Sequence, residues 1–250
     1  MRIGVIVVAF GLSVLAALFS DVDPPSTLAR CPNPGPNRPD DSLHYFGGGY
    51  YGTPEIPGGV YARIQVKQPW VEPPAQLTNF SSAWTMLVGP AMPGYSRPYA
   101  QVGWIEWPFS GRNNFYTWTD RYGTQVQPQI WGPLGVPFPL NSYHYYTTLH
   151  DVNIPGKFSF YVDGQFWDLK YLDWQPNEAE LFGEIDTAAS QLGGGYGYPM
   201  YANDIAVWYY GTWQRPTLNV SATNWGYAGV FRYGSGSGQT FAIWDQYCVD

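Results

Sequence analysis

Beyond the first thirty residues, no window of 11 or more residues repeats its apolar positions with the 3.6-residue period of an amphipathic helix. Short runs rich in Val, Ile, Thr, Tyr and Trp are cut instead by Gly and Pro, of which the chain holds 29 and 23. Gly supplies backbone conformations other residues avoid, and Pro removes an amide donor, so both end strands and turn the chain. The pattern predicts strands near 59–67, 79–88, 99–107, 113–120, 125–131, 142–151, 157–163, 178–186, 203–210, 216–221, 226–232 and 239–246. Many short strands with no helix between them predict an all-β, single-domain fold, a two-sheet antiparallel β-sandwich of the jelly-roll kind. Charged residues make up 12% of the chain and aromatics 18%, so there is ample apolar area to bury and disorder is excluded.

The ends carry a different message. Met1 and Arg2 precede an apolar run from Ile3 to Phe19, and small residues follow near Thr27-Leu28-Ala29, the layout of a secretory signal peptide. The run is shorter than the roughly 20 apolar residues a spanning helix needs. The expected organisation is a signal peptide over 1–29, an extended Pro-rich leader over 30–58 and a β-sandwich over 59–250. The mature chain is expected to be secreted, extracellular, monomeric and free of the membrane. In an oxidising compartment Cys31 and Cys248 most simply form one disulfide, two free thiols in terminal tails being the alternative. Such a bridge would close a loop long enough to contribute about 4 kcal/mol or more in the chain-entropy account. A net charge of −7 without a Lys/Arg cluster argues against a nucleic-acid partner.

Two strands carry candidate chemistry. In Tyr99-Ala-Gln-Val-Gly-Trp-Ile-Glu-Trp107, alternation places Gln101, Gly103, Ile105 and Trp107 on one face, and Gly103 would leave space for a substrate backbone. In Glu180-Leu-Phe-Gly-Glu-Ile-Asp186, Glu180, Phe182, Glu184 and Asp186 share a face while Leu181 and Ile185 point to the core. Three carboxylates spaced by two repel one another when ionised, so at least one is expected to have a raised pKa, as a general acid or base often does. A solvated edge face would show the same spacing.

At these residues the chain resembles the glutamic peptidases. The resemblance rests on the order Ser82-Ala83-Trp84, Gln101-Val-Gly-Trp104 with Pro108 after it, Phe115-Tyr-Thr-Trp-Thr-Asp-Arg-Tyr122 and Gly183-Glu184. It covers roughly residues 60 to 210 and touches both the fungal eqolisins and the plant neprosin family. Members use a Gln and a Glu, or two Glu, on facing strands of a concanavalin-like jelly roll. Carried over, the two catalytic positions fall on Gln101 and Glu184. The resemblance implies hydrolysis of polypeptides at acidic pH without metal or other cofactor. Trp84, Gly103, Trp107, Tyr116, Trp118, Glu180 and Asp186 are the candidate substrate-binding residues around the pair. The chain lacks the paired cysteines that follow the W-T-D strand in neprosins.

Other readings are weaker. Gly183-Glu-Ile-Asp186 also resembles the catalytic strand of laminarinase-type glycoside hydrolases, but Ala189 stands where their second carboxylate would be. His44, His144 and His150 match no zinc spacing, and no G-x-S-x-G elbow is present. The surplus of aromatics keeps one alternative open, a non-catalytic extracellular protein that binds polysaccharide or serves adhesion on the same scaffold.

Overall fold

The computed structural model describes residues 45–52, 55–69, 71, 79–108, 111–125, 129–131, 139–185, 190, 192–195, 197–222, 228–246 and 248. Among them are fifteen strands and one 3-10 turn, Gly236–Gly238. The strands are β1 (Tyr45–Gly52), β2 (Gly59–Gln65), β3 (Ser81–Val88), β4 (Tyr99–Trp107) and β5 (Gly111–Trp118). They continue as β6 (Gln129–Trp131), β7 (Tyr143–His150), β8 (Lys157–Val162), β9 (Gln165–Tyr171) and β10 (Glu178–Ile185). The last are β11 (Met200–Tyr209), β12 (Thr212–Gln214), β13 (Asn219–Ala222), β14 (Ala228–Tyr233) and β15 (Thr240–Asp245). The front sheet runs β13-β1-β10-β3-β4-β5-β6, and the back sheet runs β14-β15-β11-β2-β7-β8-β9 with β12 on β11. The protein is an all-β sandwich of two antiparallel sheets in one domain.

Period-2 alternation decides what lies between the sheets. From the front sheet, Ala83, Leu87, Ala100, Val102, Trp104 and Leu181 meet Val60, Ala62, Ile64, Tyr146, Phe158 and Phe160 of the back sheet in one core. Several buried polar groups there are paired across the sheets, although the Ser81 hydroxyl has no hydrogen-bond partner among the described residues. Thr85 Oγ1 donates to the Tyr146 carbonyl and Thr148 Oγ1 to the Thr85 carbonyl, both at 3.3 Å, while the Tyr146 hydroxyl donates to Asn114 Oδ1 at 2.9 Å.

The strand forecast from sequence places β4 at its observed limits and finds most others within a few residues. Three strands escaped it: β1, β9 and β12. The largest correction concerns residues 30–58. Tyr45–Gly52 does not lie in an extended leader; it is an inner strand of the front sheet, paired on one side with β10 and on the other with β13. Its Gly47-Gly48-Gly49 core looks like a turn in sequence. In the fold, a Cβ at Gly48 would stand 1.9 Å from the Leu181 carbonyl oxygen, and one at Gly49 would stand 2.3 Å from the Phe241 ring. These glycines serve close packing of strand against strand and ring.

Candidate active site

The outer face of the front sheet holds the second set of alternating side chains. Trp84, Ile105, Phe115 and Phe182 form a buried cluster there, with Phe46, Tyr50, Phe80, Met86 and Trp107 packed against it. Phe46 meets Phe182 edge-on at 5.2 Å, and Trp84 lies tilted against Phe182 at 5.4 Å. Such pairs contribute roughly 0.5–1.5 kcal/mol each beyond their buried area. They form the floor and one wall of a groove of about 350 Å³ whose lining includes Ser82, Trp84, Met86, Tyr99, Gln101, Glu180 and Glu184.

Strand order brings both candidates to this groove, but not into one row: Gln101 and Glu184 are offset by four residues along the strands. β3 lies between β4 and β10, so Met86 has Gln101 on one side and Glu180 on the other, while Ser82 has Ile105 and Glu184. Trp84 stands between these two rows, opposite Phe182 and Gly103. Its indole Nε1 donates a 2.8 Å hydrogen bond to Glu184 Oε2. That bond fixes the carboxyl against a rigid ring, and Gln101, 6% exposed, faces the same space. Beside Glu184, the Ser82 hydroxyl is buried and has no hydrogen-bond partner among the described residues. A buried, unmatched hydroxyl in a groove is a place for a water or a substrate group.

The carboxylates differ in their surroundings. Glu180 has its pKa raised from 4.5 to about 9, first by burial and then by its hydrogen bond to Glu178 and that neighbour's charge. Arg97, 2.7 Å from Glu178 and 3.9 Å from Glu180, offsets only part of this. Glu180 is therefore a protonated acid at neutral pH, as expected for one member of a carboxylate cluster. Tyr99 is also held in its neutral form by burial and by the charge of Glu184, partly offset by a hydrogen bond with Gln125.

Several candidate residues need correction. Tyr116 and Trp118 are not in the groove. Tyr116 belongs to the core between the sheets and donates a 2.6 Å hydrogen bond to Asp168 Oδ2 on β9. Trp118 stacks on it at 5.9 Å, with Lys170 Nζ 4.7 Å over its ring. Alternation gives the groove Phe115 from this strand. Gly103 does not clear a path for substrate either. A Cβ there would sit 2.0 Å from the Ala83 carbonyl oxygen and 2.7 Å from Trp84 Cα, so the glycine lets β3 and β4 approach beside Trp84. Gly48 does the same opposite Phe182 on β10. Trp107 packs against the aromatic cluster and does not line the groove. Asp186 and Cys31 lie outside the described residues. Tyr99, Phe46 and Ser82 line the groove and were missed; for Tyr99 the signal was its place two residues before Gln101 on one face.

No group of three or more His, Cys, Asp or Glu side chains fit to hold a metal occurs among the described residues.

No protein-family model matches the sequence. No curated protein matches it significantly. Solved structures do. Scytalido-glutamic peptidase with a peptide-based transition-state analogue superposes with a TM-score of 0.55 at 11% identity, over 81% of this chain and 98% of that one. A second structure of that peptidase, with a transition-state analogue inhibitor, gives 0.50 at 11% identity and the same coverage. The two proteins share a fold. At this identity the likeness is one of architecture, the concanavalin-like sandwich, and the chemistry has to be argued from the groove.

Proposed function

We propose that the protein is a glutamic-peptidase-like hydrolase that cleaves polypeptides at acidic pH with Gln101 and Glu184. The observation that carries this reading is the carboxyl of Glu184, held by the Trp84 N–H in the same groove that Gln101 faces. Glu184 takes a proton from a water as that water's oxygen attacks the peptide carbonyl carbon. The Gln101 amide N–H stabilises the resulting oxyanion. Glu184 then gives its proton to the leaving amine as the C–N bond breaks, which regenerates the carboxylate. Glu180 stays protonated, so the groove does not carry two adjacent negative charges, and two carboxyls acquire two roles from their surroundings. The fold shared with scytalido-glutamic peptidase supports the assignment.

The chain's apolar start supports secretion. A Cys31–Cys248 disulfide accords with the burial of Cys248, which is 3% exposed, and with the lack of a free cysteine among the described residues. The mature protein is proposed to act as a monomer on extracellular polypeptide. Casein hydrolysis from pH 2.5 to 7, with Gln101→Ala and Glu184→Gln in parallel, tests the reading. Activity on the acid side that disappears in both variants supports it. Undiminished activity in either variant removes the pair, and an inactive wild-type protein leaves a binding groove without chemistry.

A further inference from the structure

The outer face of the back sheet carries a second, independent site. Around the β11–β12 hairpin a cleft of about 630 Å³ is walled by Trp208, Trp213, Tyr161, His150, Asp151 and Lys157. A second hollow of about 430 Å³ adjoins it and shares Trp208, Val152 and Gly211. Volumes of this size suit small-ligand sites. The hairpin turns through Tyr210 and Gly211 with φ of 51° and 74°. A bulky residue in the left-handed region is uncommon and marks a position the surroundings hold in place. The Tyr210 ring is 61% exposed beside the cleft.

From the cleft, four rings run in series across β11, β12, β2 and β7. Trp208 meets Trp213 at 5.4 Å, Trp213 meets Tyr61 at 4.8 Å, and Tyr61 meets Tyr145 at 6.1 Å. Successive rings are turned by 79°, 63° and 67°, so each meets the next edge to face. Gly58 makes room for the first of them: a Cβ there would lie 2.2 Å from Trp208 Cδ1. At the other end a β-bulge in β11 between Asn203 and Ala206 turns Asp204, at φ 48°, toward the surface. There Asp204 accepts from the Tyr145 hydroxyl at 2.7 Å and pairs with Arg215, which also donates to the Tyr61 hydroxyl at 2.9 Å.

Most charges of this surface are matched: Asp151 holds Lys157 at 3.0 Å and Asp204 holds Arg215, while Arg63 lies over the Tyr143 ring at 4.6 Å. What remains for a ligand is mainly aromatic area edged by carboxylate and amide groups. A purely apolar ligand would strip water from Asp151, Asn153 and Lys157 without return. His150, 3% exposed, lines the cleft; its Nε2 accepts from the Gly156 amide at 3.4 Å, and the Pro57 carbonyl lies beside the ring. Sugars suit a surface of exposed rings edged by polar groups, since a pyranose has apolar C–H faces for rings and a rim of hydroxyls for polar groups. From the Trp208–Tyr145 ring series and the cleft beside it, we infer that the back sheet is a binding site for a neutral oligosaccharide chain.

The site lies on the sheet opposite the groove and stands apart from the peptidase reading. Cellohexaose, laminarihexaose and mannohexaose, titrated into the mature protein with tryptophan fluorescence and calorimetric detection, test it. At least one is expected to bind with a sub-millimolar Kd that 0.5 M NaCl leaves unchanged, since exposed ionic contacts would be screened (about 4 Å Debye length). Trp213→Ala and Tyr145→Ala are expected to weaken it about tenfold or more while the melting temperature and casein hydrolysis stay as in wild type. Glu184→Gln should bind the sugar as wild type does. No binding by any of the three hexaoses at about 10 mM overturns the inference, as does binding that survives both aromatic variants or that a peptide displaces. A misfolded Trp213→Ala would leave Tyr145→Ala and the wild-type fluorescence change to decide.

Discussion

The two outer faces of the sandwich are both rich in aromatic rings, yet they treat charge in opposite ways. On the front sheet, three carboxyls on one strand, Glu178, Glu180 and Glu184, share a face approached by Arg97, and the groove lining contains no Lys or Arg among the described residues. On the back sheet, Asp151 with Lys157, Asp204 with Arg215 and Asp168 with Lys170 are paired. The rings of the front sheet are a buried floor under reactive groups, and those of the back sheet stand at the surface. Their buried titratable groups also pull against each other. Glu180 resists ionisation, whereas burial lowers the His150 pKa, partly offset by the Pro57 carbonyl and the Asp151 charge.

The largest way to break this contrast is on catalysis. Glu184→Gln should reduce casein hydrolysis about 10²–10⁴-fold at the acid optimum, and Trp213→Ala on the back sheet should leave it unchanged. Equal losses in both would show that the faces are not separate devices. Next comes Gly103→Ala, whose added Cβ meets backbone 2.0 Å away and cannot be relieved by a rotamer change. It should cost about 3 kcal/mol in urea unfolding, with Gly48→Ala similar, whereas Gly164→Ala, where nothing lies within 4 Å, should cost less despite its φ of +76°. Trp84→Phe keeps a ring on the groove floor but removes the donor to Glu184. Activity should fall about tenfold with the melting temperature held within a few degrees, the loss of one charge-assisted hydrogen bond.

The two titrating groups sharpen the comparison further. The folded pKa of Glu180 lies above its unfolded value near 4.5, so the unfolded chain loses this proton first as pH rises. Its contribution is fully present below about 4.5 and is lost progressively up to about 9. Glu180→Gln should match wild type at pH 4 and exceed it at pH 8 in urea midpoint. His150 has the opposite sign: its folded pKa lies below 6.5, so stability falls as pH drops through 6.5 toward that lower value. His150→Gln should flatten this smaller acid-side loss, and a wild-type profile that is already flat there would contradict it.

Much of the groove was legible before the fold. Alternation along 99–107 placed Gln101 and Ile105 on one face, and the fold puts that face in the groove and the opposite one, with Val102 and Trp104, in the core; alternation along 180–185 separated Glu184 from Leu181. The same rule, applied to 115–118, would have exchanged Tyr116 for Phe115; the aromatic character of Tyr116 and Trp118 was read without their parity. β1 was absorbed into the extended leader, because glycine in sequence carries no sign of the backbone that will pass over it.

By itself, the sequence determined the strand character, the two faces of each strand and the types of group each face offers, because a period of two is a property of the extended chain alone. Only the tertiary structure decided that β10 lies beside β3, and β3 beside β4, so that residues far apart in the chain share one groove under one indole. It also decided that β11 bulges at Asn203 and turns Asp204 outward. Pairing partners are chosen by how whole faces pack, an energy spread over dozens of side chains that no single segment contains.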